Sequence, residues 1–302
     1  MTAPWPSPDD DGEPRLKAAL AAALHLPADH LSITTGVRAG AAPILRAGTG
    51  LLLERPTFLG VRRLAHALGR PVTDVAWPDL TTLLSGSPGS DVVWVTSPCR
   101  NPDGAMLPAE VKRCLEDYAS AGATVVQNLV NDWLAPRPEA RIKGAALIGS
   151  LSKVAGGGVR LGWVADPRYA AWARAERRGA TPPTPWQRTW ARFVERGGLD
   201  ILRTAVSTAV AESAAALDAA LEEAGSAGVA RPAETELLRL LPLGAGWTEE
   251  EACRRLLVRG FRVSPGAAFG AAQPSVRLSL TRLRPALAAP LACALTPVLS
   301  AP

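Results

Sequence analysis

The stretch Gly149-Ser150-Leu151-Ser152-Lys153-Val154-Ala155-Gly156-Gly157-Gly158-Val159-Arg160-Leu161-Gly162-Trp163 decides how this chain is read. It begins where an apolar run, Ala145 to Gly149, comes to an end. It then supplies two hydroxyls, a lysine, a flexible glycine run and an arginine. Hydroxyls and a guanidinium are what a phosphate dianion needs. A lysine held beside such a phosphate is placed to form a Schiff base with an aldehyde. Lysine is scarce: only Lys17, Lys112, Lys143 and Lys153 occur, so one in so demanding a context stands out. Two other patterns share these residues. A P-loop needs glycine directly before the lysine, and Ser152 stands there. Ser150-Leu151-Ser152-Lys153 also fits the S-x-x-K of penicillin-recognising serine hydrolases, but the S-D-N and K-T-G elements of that group are missing. A solvated loop without function is the bland alternative.

Outward from this segment, β-prone runs alternate with helical spacing. Leu16, Ala19, Leu20, Ala23 and Leu24 predict an amphipathic helix over Pro14–Leu26. Strands are predicted at Leu31–Thr35, Gly50–Glu54, Pro71–Ala76, Asp91–Thr96, Ala123–Asn128 and Ala145–Gly149. Helices are predicted at Val37–Leu45, Leu59–Leu68 and Leu107–Ala121. That alternation predicts an α/β fold with a mostly parallel, doubly wound sheet. Its active residues belong at the C-terminal strand ends. Beyond Thr181 the texture changes. A long Ala-rich helix, Leu199–Ala224, precedes strands at Glu236–Leu241, Arg262–Ser264 and Ser275–Leu280, a helix at Thr248–Arg259 and a closing helix. This predicts three parts: a short N-terminal segment (1–13), a large cofactor domain (14–198) and a smaller C-terminal α+β domain (199–302).

The lysine segment resembles the lysine motif of fold-type I pyridoxal-phosphate enzymes, the class I/II aminotransferase group. Further motifs follow in that family's order over most of the chain. Gly12-Glu13-Pro14-Arg15-Leu16 resembles the G-x-P-x-L-R entry to the first helix, and Thr34-Thr35-Gly36-Val37-Arg38 the T-x-G turn. Glu54-Arg55-Pro56-Thr57-Phe58 resembles E-x-P-T-Y, and Asn101-Pro102-Asp103-Gly104 matches N-P-x-G. Gly260 to Gly266, followed by Phe269, resembles G-I-x-V-x-P-G, and Val276-Arg277-Leu278-Ser279 resembles I-R-L-S. The resemblance implies pyridoxal 5'-phosphate as cofactor and a role for each matched residue. Lys153 forms the Schiff base and moves the α-proton. Ser150, Ser152, Arg160 and the amides around Gly36, Val37 and Arg38 hold the phosphate. Phe58 stacks on the ring. Asn101 donates to the phenolic oxygen, and Asn128 faces the pyridine nitrogen. Arg277 pairs with the substrate carboxylate. Each keeps a plain alternative: Phe58 in the core, Ser152 in the turn only, Arg277 on an internal carboxylate.

Two departures shape the functional reading. The family places an aspartate after the N-P-x-G strand, and its carboxylate keeps the pyridine nitrogen protonated. Here that position falls on Asn128 and the following tyrosine position on Asn131. Asp132 is a substitute only if the strand end is bulged. The family's N-terminal arm also has little counterpart, since about a dozen residues precede the first helix. The only tyrosines, Tyr118 and Tyr169, do not fit the position of the tyrosine that the family places on the neighbour's phosphate.

Composition bounds the rest. The 302 residues are 47% hydrophobic, which excludes disordered and fibrous classes. No apolar run is long enough for a membrane span, and no signal peptide opens the chain. The expectation is a soluble cytoplasmic protein. Four scattered cysteines and three histidines form no metal-ligand pattern, so no metal is expected. The formal charge of +5 fits an anionic partner or the arginine usage of a GC-rich genome; the second reading is taken, and no nucleic-acid partner is expected. The Arg-rich stretch Arg168–Arg196 interleaves tryptophans but matches no nucleic-acid module, and a helix pair accounts for it. Trp133 and Trp163 flank the lysine site by motif adjacency, with core packing as the alternative. The resemblance thus implies an aminotransferase-like enzyme acting on an α-amino acid or a derivative of one, in a biosynthetic, secondary-metabolite setting, as a homodimer. Asn128 keeps elimination, replacement, cyclisation or decarboxylation open beside transamination. A non-catalytic ligand-binding member and a Ser150 hydrolase are the remaining alternatives.

Overall fold

The computed structural model describes residues 11–86, 89–133, 137–175, 181–226 and 237–299. Most of the expected N-terminal segment and Glu236 lie outside the described residues. Residues cluster into two compact units. The first comprises 1–53, 60–95 and 108–203. The second comprises 54–59, 96–107 and 204–302. Two short segments inside the stretch read from sequence as one domain (14–198) thus pack with the C-terminal part.

The first unit carries helices α1 (Pro14–Leu24), α2 (Val37–Ala47), α3 (Gly60–Ala67), α4 (Trp77–Leu83), α5 (Ala109–Ser120), α6 (Tyr169–Ala175) and α7 (Thr184–Glu195). Its strands are β1 (Leu31–Thr34), β2 (Leu51–Arg55), β3 (Val72–Ala76), β4 (Val92–Thr96), β5 (Thr124–Asn128), β6 (Ala146–Ser150) and β7 (Gly162–Ala165). They form one sheet in the order β1-β7-β6-β5-β4-β2-β3. β2 pairs with β4 and β5 with β6 in parallel, whereas β7 runs antiparallel to both β1 and β6. The sheet is therefore mixed. β7 has no separate signal in the residue pattern, because its four residues merge with the end of the lysine motif.

The strands β1, β4, β6 and β7 are buried at every residue, as expected when helices cover both faces of a sheet. Alternation along β6 and β7 sorts side chains into two cores. Leu147 and Trp163 join Leu16, Leu20 and Leu24 of α1 and Ala191 and Val194 of α7. Ile148 and Val164 join Ile44 and Leu45 of α2 with Leu51, Leu53 and Trp94. Each large side chain removed from water contributes about 1.5–3 kcal/mol.

The second unit contains most of α8 (Gly198–Glu223), then β8 (Leu238–Pro242), α9 (Glu249–Val258), β9 (Ser264–Pro265), β10 (Ser275–Ser279) and α10 (Ala288–Leu299). The three strands pair antiparallel in the order β8-β10-β9. A reciprocal capping box between Thr248 and Glu251 starts α9. Glu249, in the same first turn, accepts the backbone N–H groups of Ala267 and Ser275 and so ties the Pro265–Gly266 turn to β10. Among the described residues no helix is long and apolar enough to cross a membrane.

Candidate active site

The lysine segment leaves the C-terminal end of β6 and turns at once. Ser150 caps a 3-10 turn over Leu151–Lys153, its Oγ accepting the Ser152 N–H at 3.1 Å and donating to the Leu161 carbonyl at 3.2 Å. The Ser150 hydroxyl thus folds the turn rather than engaging a base, which disfavours a serine hydrolase. The Ser152 hydroxyl has no partner among the described residues. Lys153 ends the turn, half-buried. Gly156 to Gly158 are exposed, and a Cβ added at any of the three would touch nothing within 4 Å.

This loop returns along β7 against the turn that precedes α2. Gly36 has φ +124°, a conformation side chains avoid. Thr34 Oγ1 donates to the Gly36 carbonyl. A Cβ at Gly162 would lie 2.6 Å from Gly36 Cα, so only glycine lets β7 pass. The Arg160 guanidinium stands 3.8–4.0 Å from where a Gly36 Cβ would be, and it has no acidic or hydrogen-bonding partner among the described residues. The first N–H groups of α2, those of Val37 and Arg38 included, are unpaired by helix geometry. A guanidinium, backbone amides and a hydroxyl-bearing turn therefore gather at one helix N-terminus, an arrangement suited to a dianion. The Arg38 side chain itself is exposed.

Asn128 closes β5. The parallel register continues through Asn128 opposite Ile148 without a bulge. Its Oδ1 accepts the Val130 N–H at 3.2 Å, which directs the acceptor side of the amide into its own turn. Asp132 is buried, accepts the Arg137 N–H at 3.0 Å and lies 3.7 Å from the Arg141 guanidinium. Burial pushes its pKa up, against the pull of Arg137 and Arg141. With no bulge at the strand end and Asp132 committed to this turn, Asn128 keeps the strand-end position.

Phe58, Asn101 and Arg277 belong to the second unit. Phe58 is 58% exposed, among the few large apolar side chains left open to solvent, so a core role does not hold. Beside it, Glu54 accepts both the Thr57 hydroxyl and the Thr96 N–H, which explains the E-x-P-T pattern as a clamp. Asn101-Pro102-Asp103-Gly104 is a tight turn. The Gly104 N–H donates to the Arg100 carbonyl at 2.7 Å, and the Arg100 and Asp103 side chains pair across it. Asn101 Oδ1 is buried without a partner among the described residues. Arg277 lies 5.5 Å from the centre of the Phe269 ring, and its Nε is buried and unpaired. Burial lowers its pKa, while Cys99 acts to raise it. No carboxylate pairs with Arg277 among the described residues. The proximity of Cys99, which has φ +61°, carried no sequence signal.

Other flagged residues serve structure. Trp133 and Trp163 lie in the first core. Tyr169 is in the second core, and Tyr118 Oη accepts the Gly89 N–H at 2.9 Å.

No protein-family profile and no curated protein matches the chain. Solved structures do. The α-aminoadipate aminotransferase LysN of Thermus thermophilus, solved with N-(5'-phosphopyridoxyl)-L-leucine, superposes with a TM-score of 0.80 at 22% identity, covering 97% of this chain and 82% of that chain. An aminotransferase from Mycobacterium tuberculosis gives 0.82 at 21%, covering 98% and 84%. The kynurenine aminotransferase of Pyrococcus horikoshii, solved with PMP, gives 0.76 at 18%, covering 95% and 80%. This likeness establishes the fold, an α/β architecture with a mostly parallel mixed sheet and a small antiparallel C-terminal sheet.

Proposed function

We propose that this chain, which has the fold of the fold-type I aminotransferases, is a pyridoxal-phosphate-dependent enzyme acting on an α-amino acid or a derivative of one. The observation that carries the reading is the partnerless Arg160 guanidinium against the Gly36 turn at the start of α2, beside the Ser150–Lys153 turn. Two features fit the cofactor. The Gly36 turn leaves space that a side chain would fill, and Phe58 offers an open ring face. When bound, pyridoxal phosphate supplies an electron sink for negative charge at the substrate α-carbon.

The chain's own residues divide the remaining work. Lys153 Nζ holds the cofactor covalently and, once released, moves the α-proton. Arg160, the Ser152 hydroxyl and the amides of Gly36, Val37 and Arg38 bind the phosphate. Ser150 reaches it only by turning its hydroxyl hydrogen away from the Leu161 carbonyl. Phe58 packs on the ring and the Asn101 amide meets the phenolic oxygen. Arg277, already stacked on Phe269, receives the substrate carboxylate. The protein works as a cytoplasmic homodimer in this reading.

Asn128 favours a second reading of the reaction type. A neutral amide at this position carries no negative charge to hold a proton on the ring nitrogen, as a carboxylate would. That weakens the electron sink and moves weight from transamination toward elimination, replacement, cyclisation or decarboxylation.

The test is a visible absorption spectrum with pyridoxal phosphate for the parent and for Lys153→Ala, followed by borohydride reduction and peptide mapping. A visible band fixed on Lys153 in the parent and lost in the variant is the expected result. No band in either protein leaves a binding protein without this chemistry.

A further inference from the structure

Arg160 sits between two carbonyls whose positions are held by different elements. On its C-terminal side, the Leu161 carbonyl accepts both the Leu151 N–H at 3.0 Å and the Ser150 hydroxyl at 3.2 Å. On its N-terminal side, the Val159 carbonyl accepts the indole Nε1–H of Trp186 at 2.9 Å. Trp186 stands in the first turn of α7. Gly157–Val159 form a 3-10 turn closed by the Val159 N–H on the Gly156 carbonyl at 3.2 Å, with Val159 buried in the first core and Gly156–Gly158 exposed. Arg160 itself adopts φ +47°, a sparsely populated region for a residue with a side chain. The Val159 carbonyl and the Arg160 N–H share one rigid peptide plane. Holding that oxygen therefore sets the plane from which the Arg160 side chain departs.

Trp186 is itself well supported. Its ring meets Trp190 edge-on at 6.0 Å, and Trp190 meets Phe193 in the same way at 5.1 Å. The next residue, Gln187, is fully buried and fastens α7 to the chain on both sides. Its amide donates to the Pro182 carbonyl at 2.6 Å and accepts the Glu13 N–H at 2.8 Å. The indole residue is 40% exposed, more open than core packing alone would leave it.

We infer that Trp186 is a positioning residue for the phosphate site: its indole N–H fixes the Val159–Arg160 peptide and so aims the Arg160 guanidinium at the anion. This rests on Arg160 being the phosphate ligand. The consequence is selective. Loss of the indole N–H weakens binding of the phosphate group and leaves contacts to the pyridine ring as they were.

The experiment compares Trp186→Phe, Trp190→Phe, Arg160→Ala and the Trp186→Phe/Arg160→Ala pair with the parent. Dissociation constants are measured for pyridoxal phosphate and for pyridoxal, which lacks the phosphate, and thermal unfolding is followed for each protein. Trp186→Phe keeps an aromatic ring in the ladder. It is expected to weaken pyridoxal phosphate about five- to tenfold, the size of one hydrogen bond, and to leave pyridoxal unchanged. That loss disappears in the Arg160→Ala background. Trp190→Phe disturbs the same ladder without a bond to the loop, and it is expected to leave the ratio of the two affinities unchanged. Equal weakening of both ligands, or no change, in Trp186→Phe while Arg160→Ala weakens pyridoxal phosphate alone overturns the inference and keeps Arg160 as ligand. An Arg160→Ala protein that binds pyridoxal phosphate as the parent does overturns the phosphate assignment, and this inference with it.

Discussion

Gly149 stands directly opposite Trp163 in the antiparallel β6–β7 pair, and the indole occupies the space where a Cβ at 149 would stand, with Cε2 at 2.6 Å. Trp163 is fully buried, so the ring has no free volume to retreat into. Gly149→Ala is expected to destabilise the protein by about 1–3 kcal/mol through overpacking, measured by urea unfolding. The same displacement reaches Ser150, the next residue, so under the proposed function the variant is also expected to bind pyridoxal phosphate more weakly. Unchanged stability and affinity together sink this account of the glycine.

How far residues alone reach is visible at these positions. The strand runs ending at Thr34, Asn128 and Ser150 were legible because their apolar content and turn residues agree locally. β7 was not, since its glycine and tryptophan make sense only against Gly149 and Gly36 across the sheet. The grouping of 54–59 and 96–107 with the C-terminal unit was equally hidden, because it depends on contacts such as the Thr57 N–H on the Phe269 carbonyl at 2.9 Å. At the candidate site, the turns at Gly36 and after Ser150 were legible. The tether of Ser150 to Leu161 and that of Val159 to Trp186 were not, because a hydrogen bond between distant residues leaves no local periodicity.

Asp132 gives a pH test. Its carboxyl is buried and its pKa raised above the unfolded value, chiefly by desolvation. A raised pKa means that the protonated form is the better tolerated one in the fold. Its stabilisation is therefore full below the unfolded pKa and is lost as pH rises through the folded one. Asp132→Asn keeps an acceptor for the Arg137 N–H and removes the titration. Unfolding free energies measured from the unfolded aspartate pKa upward are expected to fall with pH in the parent and to fall less in the variant. Parallel curves for the two proteins contradict this assignment.

Asn128→Asp tests the electronic argument. The aspartate retains an oxygen for the Val130 N–H and adds a negative charge at the position proposed to face the ring nitrogen. A charge-assisted hydrogen bond is roughly twice as strong as a neutral one. A gain of about 1.4 kcal/mol corresponds to about tenfold in rate. The variant is expected to exchange the α-proton of a bound amino acid in deuterated water about tenfold faster than the parent. A slower or equal exchange means that the parent's chemistry does not wait on ring protonation.

Arg277 is the most demanding case, because the proposed carboxylate contact rests on a half-buried guanidinium. The guanidinium is half-buried, stacked on Phe269, and its Nε has no partner. Burying a cation without an acceptor is costly, and a planar carboxylate offsets that cost in a bidentate pair. Arg277→Lys keeps the charge and loses the fork. It is expected to raise the KM for an α-amino acid by about ten- to a hundredfold, in line with about 1.5–3 kcal/mol for hydrogen bonds to charged groups. The dissociation constant for pyridoxal phosphate stays as in the parent. The corresponding amine, which lacks the carboxylate, discriminates the two proteins further, since its binding is indifferent to the change. If the substitution instead weakens cofactor and amine alike, Arg277 serves the packing around Phe269 and Cys99, and the carboxylate is read elsewhere.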